Sequence, residues 1–95
     1  MEIMDWIQNW YDDNCDNDWE HMFGIKIYTV DNPGWAVEID LKNTKIENKL
    51  FNKIQYDHGD SDWLLCYVKD SVFQGNGDSH KLSMILDIFK TWASE

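Results

Sequence analysis

Residues 63–68 read Trp-Leu-Leu-Cys-Tyr-Val, apolar at every position. A half-exposed strand alternates apolar and polar residues, and an isolated helix this short is not stable. The run therefore predicts a strand covered on both faces, at the centre of a sheet. Such a strand needs neighbours, and the chain supplies them. In residues 35–42, "WAVEIDLK", Trp35, Val37, Ile39 and Leu41 share one face, while Glu38, Asp40 and Lys42 share the other. Residues 24–30, "GIKIYTV", precede them across the turn signal "DNPG". A two-residue Pro-Gly loop sets Ile25 and Ile27 on the face of Asp40 and Glu38. A register moved by one residue sets them beside Leu41 and Ile39. The apolar pattern thus predicts an odd-length loop, of three or five residues, centred near Pro33. Residues 49–56 make a third strand, and 71–74 a short fifth.

Helices flank these strands. In residues 2–15, Ile3, Trp6, Ile7, Trp10 and Tyr11 recur at the spacing of one helical face. Asp5, Gln8, Asn9, Asp12 and Asp13 fall elsewhere and face water. Glu2 and Asp5 suit the positive end of the helix dipole. Asp12 and Asp13 lie near the wrong end, where they cost a little stability. A second helix follows "GNGDS", with Asp78 or Ser79 as N-cap and Leu82, Ile85, Leu86, Phe89 and Trp92 as its apolar stripe. "GNG" itself reads as a turn before that helix. The expected fold is α+β: a small antiparallel sheet of four or five strands with an N-terminal and a C-terminal helix packed on it, in one domain over residues 1–95.

Charge narrows the function. The chain of 95 residues carries 18 Asp and Glu against 8 basic residues, all lysine, for a formal charge of −10. Direct nucleic-acid binding needs a basic footprint, and an anionic membrane repels such a surface. The partner that long-range attraction favours is basic. No basic leader or transmembrane run is visible at the N-terminus. Cys15 and Cys66 read as reduced thiols in a cytoplasmic protein.

Residues 12–21, "DDNCDNDWEH", concentrate the chemistry. Asp16, Asp18 and Glu20 alternate as in a calcium loop, but His21 stands where that loop needs glycine and Ile27 where it needs a bidentate glutamate. Asp57, Asp60 and Asp62 lack the spacing as well. His21, His58 and His80 are too scattered among the two cysteines for a zinc motif. No metal and no cofactor is expected. Cys15 and His21 are a candidate nucleophile pair, and Asp18 and Glu20 a candidate carboxylate pair. Cys15, however, extends the apolar stripe one turn past Tyr11, which favours a buried structural thiol. Cys66, inside its strand, reads as inert. The segment before Lys26 holds Glu2, Asp5, Asp12, Asp13, Asp16, Asp18 and Glu20 and no lysine, a formal −7 of the total. Aromatics interleave these charges, as they do in protein-binding surfaces. Charge runs are also commonly just solvated faces. Two rivals stay open beside a binding module: a small metal-dependent or thiol enzyme using Asp16–His21, and an acidic mimic of nucleic acid.

"WYDDNCDNDWEH", "GIKIYTVDNPGWAVEIDL", "DWLLCYV" and "ILDIFKTW" together resemble the immunity protein 53 family of bacterial polymorphic toxin systems. The most telling residues are Trp10, Tyr11, Cys15, Asp18, Trp19, Glu20, His21, Gly24, Asp31, Asn32, Pro33, Gly34 and Trp35. Asn17 stands where that family leads us to expect glycine, and residues 43–62 match weakly. The resemblance implies a non-enzymatic cytoplasmic protein that neutralises a cognate toxin domain, with a basic nuclease as the natural target. Under it, Asp12, Asp13, Asp16, Asp18 and Glu20 are the toxin-binding residues. Trp10, Tyr11, Cys15, Trp19, His21, Gly24, Asn32, Pro33, Gly34 and Trp35 are structural. His21 would hydrogen-bond Glu20 or a backbone carbonyl to fix the helix-to-strand connection, and Trp35 would join the core.

Overall fold

The computed structural model describes residues 2–95; Met1, inside the expected domain, lies outside the described residues. Helix α1 (Ile3–Asn14) starts at Glu2, whose carboxylate accepts from the Met4 N–H at 3.0 Å. Its apolar face drives Ile7 into the core and sets Trp6 and Trp10 edge-on to Phe89, 6.0 and 5.1 Å between centroids. A short helix α2 (Trp19–Met22), which the periodicity did not reveal, leads into β1 (Ile25–Val30) and β2 (Gly34–Asp40). β3 (Ile54–Asp57), β4 (Trp63–Lys69) and β5 (Val72–Gly77) follow, and α3 (Leu82–Ser94) closes the chain. The fold is the expected α+β arrangement, with five antiparallel strands in the order β1-β2-β5-β4-β3.

Both hairpin loops follow from backbone chemistry. Val30 pairs with Gly34, so Asp31–Pro33 is a three-residue loop, odd in length as the pattern required. Ile25 and Ile27 face Ile39 and Val37, two positions further along the expected face than Leu41 and Ile39. The Asn32–Pro33 peptide is cis. Lys69 pairs with Val72, leaving the two-residue turn Asp70–Ser71 with φ of 53° and 62°. Two positive values make a type I′ turn, whose twist matches that of the strands it joins. Ser71 thus belongs to the turn rather than to the fifth strand.

Four sequence expectations are corrected. The middle strand is β5, not β4; the apolar run of β4 is interior to the sheet but has one face covered, with Leu64 and Cys66 buried and Trp63, Leu65 and Tyr67 half-buried. Aromatic bodies with polar tips tolerate that half-wet face, so an unbroken apolar run did not require two covering layers. "GNG" is not a turn but the end of β5. Gly75 and Gly77 lie on the face that α3 covers: a Cβ on Gly75 would collide with Ile85 Cγ2, and one on Gly77 would come within 2.6 Å of Lys81 Cβ. Glycine there lets the helix approach the sheet. The N-cap of α3 is Lys81, not Asp78 or Ser79. Finally, the third strand begins at Ile54 rather than residue 49, because the preceding segment is bound to α3 instead. Trp92 Nε1 donates to the Leu50 carbonyl at 2.8 Å, and Lys49 Nζ donates to the carbonyls of Trp92 and Glu95 at 2.6 and 2.7 Å. That ammonium sits at the negative end of the helix dipole.

The core lies between the sheet and the two long helices. Val37, Ile39, Leu41, Leu64, Cys66 and Phe73 from the strand side meet Ile85, Leu86, Phe89 and Trp92 from α3. Burial pushes the Cys66 thiol up to about 12, which removes it from thiolate chemistry. The opposite face of the sheet carries Tyr28, Glu38, Gln74, Asn76 and Tyr67, with no helix over it.

Candidate functional site

The acidic segment runs from the last turn of α1 through α2. Its geometry divides the five carboxylates into two groups. Asp16 Oδ1 accepts from the N–H groups of Trp19 and Asp18 at 2.9 and 3.0 Å. Glu20 reaches back, with Oε1 on the Asp16 N–H and Oε2 on the Asn17 N–H, both at 2.9 Å. Asp16 thus caps the Trp19 N–H at the start of α2, while the other three N–H groups belong to the loop and to Asp18, whose own side chain makes no cap bond. The Trp19 and Asp18 N–H groups hold the Asp16 carboxyl below its ordinary range. Glu20 is also lowered, first by its own N–H and then by those of Asp16 and Asn17, against some desolvation. Asn17 sits at φ 75°, a left-handed conformation that glycine or asparagine accepts readily. This accounts for asparagine standing where a glycine was expected.

Asp12, Asp13 and Asp18 are exposed, and among the described residues their side chains make no hydrogen bond or ion pair. They are the unengaged charges of the segment. His21 is exposed too, and its ring makes no hydrogen bond to Glu20 or to a carbonyl, contrary to expectation. It lines a hollow of about 570 Å³ with Asp16, Asp18, Trp19, Met22 and Asn43.

The remaining motif residues hold this segment to the body of the protein. Trp19 is buried; its Nε1 donates to the Lys42 carbonyl at 2.8 Å, and its ring packs edge-on to Trp10 and Tyr11. Gly24 donates to Asp40 Oδ2 at 2.9 Å and accepts from the Asp40 N–H at 3.0 Å, which registers α2 against β2. Gly34 is buried where a Cβ would collide with the Gly77 carbonyl. Asn32 and Pro33 are exposed in the hairpin loop. Trp35 is half-buried outside the core cluster, and its Nε1 donates to the Ser79 carbonyl at 3.1 Å.

Cys15 is half-buried and its Sγ lies 3.3 Å from the Tyr11 carbonyl. Desolvation, followed by the Glu20 charge, raises its pKa, opposite to what a nucleophilic thiol needs. Asp16 Oδ1 and both Glu20 carboxylate oxygens already accept backbone N–H groups. Among the described residues, no group of three or more His, Cys, Asp or Glu side chains is placed to hold a metal ion.

A second charged cluster escaped the sequence reading. Lys81 Nζ lies 2.7 Å from Asp78 Oδ2 and 2.9 Å from Asp62 Oδ1. Asp78 is buried, and also accepts from the Trp63 N–H at 3.0 Å and the His80 N–H at 2.9 Å. The group ties the start of β4 to the end of β5 and the start of α3. The signal was available as an aspartate three residues before one of only eight lysines, at the mouth of an apolar stripe.

The described residues thus form a two-layer α+β fold that presents an exposed acidic segment between its first helix and its first strand. The family model described as Immunity protein 53 matches residues 4–94. The chain belongs to the Immunity protein 53 family, and its role is that of an immunity protein, which implies a toxin as partner. No curated protein and no solved structure matches the chain. Among the described residues, no helix is long and apolar enough to cross a membrane.

Proposed function

We propose that this chain is a single immunity domain, residues 1–95, that binds and neutralises a basic toxin domain in the cytoplasm without catalysis of its own. The observation that supports it is the division of labour in the acidic segment. Asp12, Asp13 and Asp18 are exposed and unengaged, while Asp16 and Glu20 hold the loop and, with lowered pKa values, stay charged. All five add to a negative field in a chain of net charge −10. Such a field steers a basic partner and speeds encounter. A nuclease toxin, whose cleft must be basic to hold phosphates, is the target class this surface fits.

The test is co-expression with the polypeptide encoded immediately upstream, scored by growth rescue and by a one-to-one complex. Asp12→Lys with Asp13→Lys, which spares the loop-holding Asp16, is then expected to slow association at least about tenfold at low salt. An unchanged rate would remove this patch from the contact surface. No complex and no rescue with the unaltered chain would sink the immunity reading for that pair.

A further inference from the structure

β1 forms one edge of the sheet. Gly24 accepts from the Asp40 N–H, so Gly24 and Asp40 are a hydrogen-bonded antiparallel pair. The alternation of the ladder then makes Lys26–Glu38, Tyr28–Ala36 and Val30–Gly34 the bonded pairs of β1 with β2. Ile25, Ile27 and Thr29 therefore turn their N–H and C=O groups outward, away from the sheet. β1 is six residues long, has neither a proline nor a bulge, and carries Lys26 as its one charged residue among the devices that blunt an edge. Alongside it runs a groove of about 350 Å³ between the sheet edge and α1, lined by Ile7, Gln8, Tyr11, Gly24, Ile25 and Ile27. Ile27 and Tyr11 are each 38% exposed, so apolar surface is on offer there.

We propose that β1 is the toxin-docking edge: an extended segment of the toxin adds to the sheet as a sixth strand, antiparallel or parallel to β1. The proposal rests on the immunity reading above and gives it a binding mode. Main-chain bonds to Ile25, Ile27 and Thr29 supply register, and alternate apolar side chains of the incoming strand fill the groove. The occupant is basic. Asp5 and Asp12 are exposed on α1, the helix that lines the groove, and Asp31 is exposed just past the end of β1; Glu38, bound to the Tyr28 hydroxyl, and Asp40, bound to the Gly24 N–H, add charge on the next strand, against the single Lys26 of β1. The same charges oppose pairing of two copies edge to edge, since like acidic surfaces would meet. The other edge is a poorer template: β3 has four residues, and the chain before it is bound to the end of α3.

The experiment uses the full chain with the upstream-encoded polypeptide. Ile27→Pro removes one outward N–H and leaves the β1–β2 ladder bonds in place. The expected result is an unchanged far-UV spectrum and an affinity at least about 100-fold weaker. Unchanged affinity in the folded variant overturns the proposal. Hydrogen exchange on the unaltered complex decides independently of how the variant folds: the amides of Ile25, Ile27 and Thr29 should exchange fast in the free protein and slow in the complex. A complex in which they stay fast overturns this binding mode alone. Absence of any complex overturns the immunity reading for that pair, and this mode with it. Protection that grows with protein concentration in the free chain would show a second copy on the edge, and would also overturn it.

Discussion

The two carboxylate-rich clusters of this protein put the same functional group to opposite uses. In the segment Asp16–Glu20, carboxylates accept backbone N–H groups and remain in contact with water. At Asp78, a carboxylate is buried with an ammonium and ties the start of β4 to the end of β5 and the approach to α3. The first orders one loop, so its loss stays local. The second removes a charge from water, and taking away Asp78 leaves the Lys81 ammonium with Asp62 alone. Acidic composition alone therefore says little about which aspartates a partner can reach.

Asp78→Ala should produce the largest effect. It deprives buried Lys81 of its closest partner and frees the Trp63 and His80 N–H groups. We expect Tm to fall by roughly 15 °C or more. A shift of only a few degrees would show the two clusters to be energetically alike. Asp16→Ala should come next, with a drop of roughly 5 °C, because a cap and not a buried charge is lost. Thermal melting read by tryptophan fluorescence would follow both.

Acid separates the clusters by a different route. The Lys81 ammonium holds the Asp78 carboxyl down to about 2, from an ordinary 3.8. A depressed pKa contributes stability that is complete above the ordinary value and is lost as pH falls through the folded one. The denaturant midpoint should thus fall between about pH 4 and 2, and Asp78→Asn should flatten that decline. A midpoint constant over this range would contradict the ion pair. Lys81 is raised above its ordinary 10.5, so its share is present below that value and is lost only at higher pH. The smallest effect belongs to Asp12→Lys with Asp13→Lys. Both side chains are unengaged and lie near the negative end of α1, so Tm should hold within about 2 °C or rise slightly. A large fall would mean that these carboxylates are structural after all.

The comparison also explains what could be read from the sequence. Periodicity located both long helices and the strands, because burial of Ile7, Val37, Ile39, Ile85 and Phe89 imposes a spacing on the chain. It missed α2, where one turn anchored by Trp19 is too short to have a period. It misread Gly75 and Gly77, since glycine signals a turn unless one knows that a helix lies against it. It placed the acidic segment correctly in sequence. It had no means of telling Asp16 and Glu20, bound to backbone amides, from Asp12 and Asp13, which are free, because that depends on the path of the loop around Asn17. The Asp62–Lys81–Asp78 group went unseen for a related reason: its members meet only once β4, β5 and α3 are assembled.

Both long helices lie on one side of the sheet, and among the described residues no helix forms a second layer on the other. Substitutions at Glu38, Gln74 or Asn76 therefore alter the outer surface without disturbing the Phe73–Phe89 packing beneath. A lineage could change that face in single steps, each nearly neutral for folding. Divergence of that surface and persistence of the fold are uncoupled by the architecture itself.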